Sequence, residues 1–384
     1  MKFRNMKKMF LTEDKKMKNE LESLVEISRY YGNNPEFVIA GGGNTSFKNK
    51  DFMWIKASGT SLAAITEKGF AKMNRACLAQ IAVKTYSKDP LKRESEIISE
   101  LFKCVEDNSG LRPSVETSLH NLLNYSFVVH THPTLVNGLM CSKNSQKETK
   151  TIFGENVLIV EYTDPGYILF KLIEKRIKEF VSQHGKEPQI IFLENHGVFV
   201  SANSTAEIRE IYSDIMVRIK KKLAKSIPSH ELTKKNFSLA QEIQSINKSL
   251  FTHSYQSDLI KEFTKSREDF SLVATAFSPD NIVYCKAHYL FTKNDVIILK
   301  NDFRNFITKH GYFPRVIGVE NEGVICLDES ESSLNTVIEV FTDILKISYL
   351  TKNFGGPRFM TPEQIEFIDS WEVENYRRKV AKAI

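Results

Sequence analysis

Cysteine is scarce in this chain. Five residues (Cys77, Cys104, Cys141, Cys285 and Cys326) stand singly among 384, with no C-x-x-C pair. An odd, scattered set suits reduced thiols in a reducing cytosol rather than a disulfide framework. No apolar run approaches membrane-spanning length, and the basic N-terminus is not followed by an apolar core of the kind a signal peptide carries. The expectation is a soluble, cytoplasmic protein with no membrane partner. Neither G-x-x-x-x-G-K-[ST] nor G-x-G-x-x-G occurs, which removes the usual nucleotide-binding readings. Charge of one sign is also lacking: 53 Lys and Arg against 47 Asp and Glu leave only +6. That balance suits an anionic small substrate and gives no case for nucleic acid. Much of the excess sits in Lys2, Arg4, Lys7, Lys8, Lys15, Lys16 and Lys18, which read as a solvated, partly mobile tail.

What is present is an ordinary globular balance, 41% hydrophobic and 26% charged, in a chain too long for one compact core. Apolar spacing predicts helices over 17–31, 67–86, 90–107 and 166–183, and strands at 37–40, 52–56, 127–132, 157–162 and 189–195. Pro113-Ser114-Val115-Glu116-Thr117 reads as a helix start with Ser114 as N-cap. Ser204-Thr205-Ala206-Glu207 reads as a capping box opening a basic helix to about 226. Thr361-Pro362-Glu363-Gln364 opens a last helix by the same logic, with Pro at its first position.

Residues 227–240 look like a linker, and beyond it the chain repeats itself. HGKEPQIIFLENHGVFVSAN (184–203) aligns without gaps on HGYFPRVIGVENEGVICLDE (310–329), with eight of twenty positions identical. This predicts a duplicated αβ unit. The expected organisation is a metal-binding catalytic domain over 1–235 and a C-terminal lobe over 236–384. In that lobe His196 has become Glu322 and no H-x-H is present.

Three constellations carry chemistry. His130-Thr131-His132 lies on a predicted strand, where residues two apart share a face and both imidazoles can reach one ion, although two histidines there can equally be hydrogen-bonded core residues. His196 follows a buried-looking strand, and three histidines with an open fourth position form a catalytic rather than a structural zinc arrangement. Glu116, in the first turn of its helix, is either a dipole-stabilised carboxylate or a general base. Ser114 either caps that helix or shares its N-terminus with a phosphate. Gly41-Gly42-Gly43-Asn44-Thr45-Ser46 with Ser58-Gly59-Thr60 is either a tight turn or an anion nest flanked by hydroxyl and amide donors.

In their order, GGGNTS, SGT, RPSVETSLH, HTHP and NHG resemble the class II aldolase/adducin family. They are most similar to the aldolase half of bifunctional rhamnulose-1-phosphate aldolase/alcohol dehydrogenases, a likeness extending to WEVENYRR at 371–378. The resemblance implies a three-layer α/β/α domain with a mostly antiparallel sheet, here followed by the degenerate repeat lobe, and commonly a homotetramer. It implies Zn2+, or another divalent metal, on His130, His132 and His196, with Glu116 as acid/base. Asn44, Thr45, Ser58, Gly59 and Ser114 match positions lining the family's phosphate pocket. The activity it implies is retro-aldol cleavage of a ketose 1-phosphate into dihydroxyacetone phosphate and an aldehyde. Relatives with the same ligands act as 4-epimerases or dehydratases, and the adducin branch, which lacks the histidines, is a scaffold. Two departures stand out: Val115 replaces a usual phosphate-binding serine, and no dehydrogenase half is present. The tyrosine that the family takes from a neighbouring subunit has no identifiable counterpart among the thirteen here.

Overall fold

The structure, a computed structural model, describes residues 2–106 and 110–371. Residues 372–378 of the WEVENYRR match lie outside them. The chain forms two compact units. The first comprises Met1–His132, Glu155–Phe192 and Val198–Ile215; the second comprises Pro133–Gly154, Leu193–Gly197 and Met216–Ile384.

The first unit carries a seven-stranded sheet. Its strands are β1 (Asn44–Lys48), β2 (Phe52–Lys56), β3 (Phe70–Asn74), β4 (Phe127–Thr131), β5 (Leu158–Val160), β6 (Ile190–Leu193) and β7 (Gly197–Ala202). They are ordered β3-β2-β1-β4-β7-β6-β5, with antiparallel pairing from β3 through β7. Strand alternation then sorts side chains between two helical layers. On one face of β1, Ser46 bonds His120 of the helix Thr117–Leu122. On the other, Thr45 bonds Ser28 of the helix Lys2–Gly32 (Oγ to Oγ 2.6 Å). On that second face the Tyr212 hydroxyl, from the helix Thr205–Lys220, donates to the Val129 carbonyl and accepts from Thr131. Three layers result, helix–sheet–helix.

Several expectations are corrected. The basic N-terminal stretch is helical, so the helix expected over 17–31 begins at Lys2. Residues 37–40 are turns rather than a strand: Phe37 and Val38 N–H groups both bond Asn34 O, and Ala40 is left-handed (φ +52). The first strand begins instead at Asn44, inside the glycine-rich motif. The helix expected over 67–86 is split, because Phe70–Asn74 pairs with β2 and the helix starts only at Arg75, capped by Asn74. An apolar stretch of that length fits either period, and the neighbouring β2 edge decides it.

The expectation of five free thiols is corrected as well. Cys77 and Cys104 form a disulfide across 27 positions of sequence. The helices Arg75–Val83 and Pro90–Lys103 pack with β2 and β3 in one apolar cluster that includes Leu78, Ile81, Ile97 and Leu101, and this packing brings the two Cα atoms to 5.4 Å. Cys141, Cys285 and Cys326 are free and buried.

The second unit holds a five-stranded sheet, β10-β11-β12-β9-β8. Its strands are β8 (Thr233–Lys235), β9 (Phe251–Gln256), β10 (Leu290–Thr292), β11 (Val316–Val319) and β12 (Gly323–Asp328). Short β8 falls inside the expected linker. The strand order mirrors that of the first sheet. β9-β12-β11-β10 repeats β4-β7-β6-β5, and the helix Val296–His310 stands where Tyr167–His184 stands in the first copy. Both helices stop at a left-handed glycine, Gly185 or Gly311. The duplication is therefore structural and extends two strands further back than the sequence match, to β4 and β5 in one copy and β9 and β10 in the other. The last helix, Pro362–Ser370, has the expected capping box, Thr361 with Gln364.

Among the described residues, no helix is long and apolar enough to cross a membrane.

Candidate metal centre

β4 is buried along its whole length, and His130 sits on it with no exposed surface. Its ring stacks on Phe199 of β7, centroids 4.0 Å apart and planes 13° from parallel. Its Nδ1 lies 3.0 Å from the Val198 carbonyl oxygen. A carbonyl can only accept, so Nδ1 carries the proton and Nε2 keeps its lone pair. That Nε2 is 3.0 Å from Nε2 of His132, which follows the end of β4, and 3.4 Å from Oε1 of Glu116. His196 occupies the turn from β6 to β7. One ring nitrogen from each of His130, His132 and His196 lies within 4.8 Å of the others. Three imidazole nitrogens gathered this closely, with one tautomer fixed by a backbone acceptor, form a group that can hold a divalent cation. The donor set is nitrogen only, and a carboxylate stands beside it.

Glu116 is nearly buried (7% exposed) and is held from the side opposite His130. Its Oε2 accepts a short hydrogen bond from Asn44 Nδ2. Asn44 also reaches Ser114 Oγ at 3.4 Å, and Ser114 Oγ accepts the Glu116 N–H at 3.2 Å. The helix here is shorter than expected. It spans Thr117–Leu122 with Glu116 at the N-cap position, so Ser114 closes the preceding turn rather than capping the helix. Gly43 is required by two constraints: φ is +68, and a Cβ would sit 2.8 Å from the His130 carbonyl oxygen.

The other anticipated residues divide. Ser58 lies beside the 113–114 segment, its N–H on Arg112 O and its Oγ 3.3 Å from Pro113 O, and Gly59 follows in a left-handed conformation (φ +84). Thr45 differs: its hydroxyl faces the opposite side of the sheet from Asn44, against Ser28. Period-two alternation places the two adjacent residues on opposite faces, a signal already present in the strand reading.

Two groups were missed by the sequence reading. The first extends the Asn44 face along β1. Ser46 Oγ pairs with His120 Nδ1 (2.8 Å), and Lys48 follows, only 4% exposed, its Nζ without a hydrogen-bond partner among the described residues. Burial, then Lys48 and His130, hold His120 well below the usual imidazole range, so it is neutral. Burial, then Arg75, pushes Lys48 down to about 7. Period-two alternation, which puts Ser46 and Lys48 on the Asn44 face of β1, was the usable signal. The second group anchors the turn that carries His196. Glu194 accepts from Ser145 Oγ (2.6 Å) and pairs with Arg358 (2.9 Å). Asn195 donates through its amide to the Phe277 and Arg358 carbonyls. No local pattern announces these long-range partners.

The β9–β12 register supplies the counterpart of this centre. Val198 and Phe199 align with Val324 and Ile325, which face Tyr255 and Ser254 where Val198 and Phe199 face Thr131 and His130. Ser254, Gln256 and Glu322 thus stand where His130, His132 and His196 stand in the first copy.

Comparison with known proteins bears on the same stretch. A profile of the class II aldolase and adducin N-terminal domain matches residues 22–213, half of the chain. The uncharacterized oxidoreductase YuxG of Bacillus subtilis (strain 168) is 30% identical over 196 residues, 49% of this chain and 27% of that protein, so the match spans about a quarter of the relative's length. Among solved structures, the N-terminal class II aldolase domain of a conserved Thermoplasma acidophilum protein aligns with 26% identity and a TM-score of 0.45, covering 52% of this chain and 92% of that one. An L-fuculose-1-phosphate aldolase from Thermus thermophilus aligns with 14% identity and a TM-score of 0.34, covering 52% and 91%. Through residues 22–213, the chain belongs to the class II aldolase and adducin family.

Proposed function

We propose that this protein is a zinc-dependent aldolase that cleaves a ketose 1-phosphate of the rhamnulose or fuculose type into dihydroxyacetone phosphate and an aldehyde. The observation that carries the reading is the Glu116 carboxylate, 3.4 Å from the His130 nitrogen that faces His132. A scaffold needs no such pairing of a cation-binding set with a buried base.

In this reading His130, His132 and His196 hold the cation, which supplies Lewis-acid polarisation of the substrate carbonyl when bound. Glu116 takes up and returns the proton at the carbon that loses its bond, with Asn44 fixing which carboxylate oxygen faces the substrate. Asn44, Ser58, Gly59 and Ser114 bind the phosphate and so set where the reacting bond lies. Thr45 can take part only through its backbone, because its hydroxyl is engaged by Ser28. Retro-aldol cleavage needs no lysine Schiff base. The reading includes a homo-oligomer, with residues 1–235 as the catalytic part and 236–384 as a lobe without a metal site; the Cys77–Cys104 disulfide removes the free-thiol argument for a cytoplasmic location.

Incubation of purified protein and Zn2+ with rhamnulose 1-phosphate and fuculose 1-phosphate, followed by assay of dihydroxyacetone phosphate, tests it. Cleavage is expected, with Glu116→Gln lowering kcat by roughly 10²–10⁴-fold while keeping the cation. Epimerised or dehydrated product without cleavage points to the other chemistries built on such a site. Protein that takes up no divalent cation at all overturns the enzyme reading in favour of a scaffold.

A further inference from the structure

The turn that carries His196 is built to an unusual standard for a short connection between strands. Asn195 is left-handed (φ +53), a conformation that few residues other than glycine adopt and that asparagine tolerates best. Its backbone N–H bonds the Met140 carbonyl (3.2 Å), and its amide bonds the Phe277 and Arg358 carbonyls, both at 2.8 Å. Its neighbour Glu194 is 4% exposed and would be costly to bury alone. It meets Arg358 Nη1 at 2.9 Å and Ser145 Oγ at 2.6 Å.

Arg358 is itself fixed at several points. Its backbone N–H bonds Cys141 O (2.8 Å), its Nη2 bonds Met140 O (3.1 Å), and the preceding Pro357 bridges Ser142. The same carbonyl of Met140 therefore accepts from both Asn195 and Arg358. The second copy keeps the left-handed asparagine, Asn321 (φ +59), with its N–H on Thr264 O, although the following residue is Glu322. The turn shape is thus shared by both copies, while the Glu194–Arg358 ion pair stands beside the one that presents a histidine.

We infer that Arg358 and Asn195 are positioning residues for His196, so that the segment after the second sheet has a task in the first copy's chemistry: it fixes the third cation ligand. This rests on the proposed cation site. An imidazole on a short turn must be held to a few tenths of an ångström for three-point binding, and losing such supporting contacts typically costs about 10–100-fold in metal affinity.

The test uses the full-length chain, stripped with a chelator and titrated with Zn2+ against a chromophoric competitor, and with Co2+ followed by visible absorption. Four variants are compared with wild type: Arg358→Ala, Arg358→Lys, Asn195→Gly and His196→Ala. Asn195→Gly keeps the left-handed backbone at no steric cost and removes only the two amide bonds, so it decides the matter should Arg358→Ala fail to fold. Asn195→Gly and Arg358→Ala are expected to weaken both metals about 10–100-fold and to move the Co2+ spectrum toward that of His196→Ala. Arg358→Lys, which keeps a charge for Glu194, should recover part of the loss. Folded Asn195→Gly or Arg358→Ala protein that binds within twofold of wild type, with an unchanged Co2+ spectrum, overturns the inference while leaving the proposed function intact. Wild type that binds neither metal overturns the proposed function and this inference with it.

Discussion

Lys48 offers a sharp energetic test of the structure, because it places an amine where the fold gives it almost nothing to bind. The side chain is 4% exposed on β1, and its Nζ has no hydrogen-bond partner among the described residues. Burial and the nearby Arg75 push its pKa from an ordinary 10.5 down to about 7, with Glu187 pulling weakly the other way. The sign follows from proton counting. Between about pH 7 and 10.5 the unfolded chain keeps a proton that the folded chain releases, so this residue makes stability rise with pH across that window. At about 1.4 kcal/mol per pH unit, the cost carried at pH 7 is on the order of 4 kcal/mol, falling to about 1 kcal/mol by pH 10.

Lys48→Met keeps the length of the side chain and removes the amine. The variant is expected to be more stable than wild type by about 2–4 kcal/mol at pH 7, the lower end allowing for relaxation around the charge, and the gap should close to about 1 kcal/mol at pH 10. Trp54 on β2 reports locally, its ring stacked on Phe47 at 5.8 Å. Urea denaturation followed by its fluorescence in a Trp371→Phe background isolates this transition from the chain's other tryptophan. A variant that is destabilised, or whose advantage does not change between pH 7 and 10, would refute the reasoning, because it would mean that Lys48 is charged and paired in the folded state.

Three further outcomes are expected. Thr45→Val should leave cation affinity and KM unchanged and cost about 1 kcal/mol of stability through the lost Ser28 bond; a tenfold rise in KM would put the hydroxyl in the substrate pocket after all. Gly43→Ala should destabilise by about 1–3 kcal/mol and weaken Zn2+ binding in a chelator competition, because its methyl meets the carbonyl of His130 and its φ is +68; wild-type affinity would argue against that close approach. Thiol titration in denaturant should count three free cysteines before reduction and five after, and Cys77→Ala with Cys104→Ala should cost about 3 kcal/mol by loop-closure entropy over 27 positions; five thiols without reductant would show that the pair is not bonded.

The fold was legible where a single period dominated. The helix Tyr167–His184 and the starts at Ser204 and Thr361 needed only local rules; Thr361 and Gln364 make both capping-box bonds, while Ser204 Oγ accepts the Glu207 N–H and the Glu207 carboxylate turns to Gln189 instead. It was illegible where partners decide. Phe70–Asn74 becomes a strand because β2 offers an edge, and Phe37–Ala40 fails to become one because its N–H groups close turns on Asn34 and Ala40 turns left-handed. The disulfide belongs to the same class: no spacing rule predicts that two helices will pack so that Cys77 meets Cys104.

The candidate site divides along the same line. His130-x-His132 could be read directly, since strand alternation alone puts both rings on one side, and His196 followed from its place after β6. What alternation also said, and the motif reading overlooked, is that Asn44 and Thr45 cannot both aim their side chains at one pocket. Their partners, Glu116 on one face and Ser28 on the other, show the consequence. The duplicated unit sharpens the point. Both copies keep the strand order, and both keep a left-handed asparagine in the turn at φ +53 or +59. The second carries Ser254, Gln256 and Glu322 at the ligand positions, and there the Gln256 amide is spent on the Glu322 carbonyl at 2.8 Å. A fold that tolerates either set cannot by itself dictate chemistry. The chemistry lies in which side chains occupy a geometry that both copies build, and those identities are written in the sequence, while the contacts that hold them, from Arg358 to Asn44, are not.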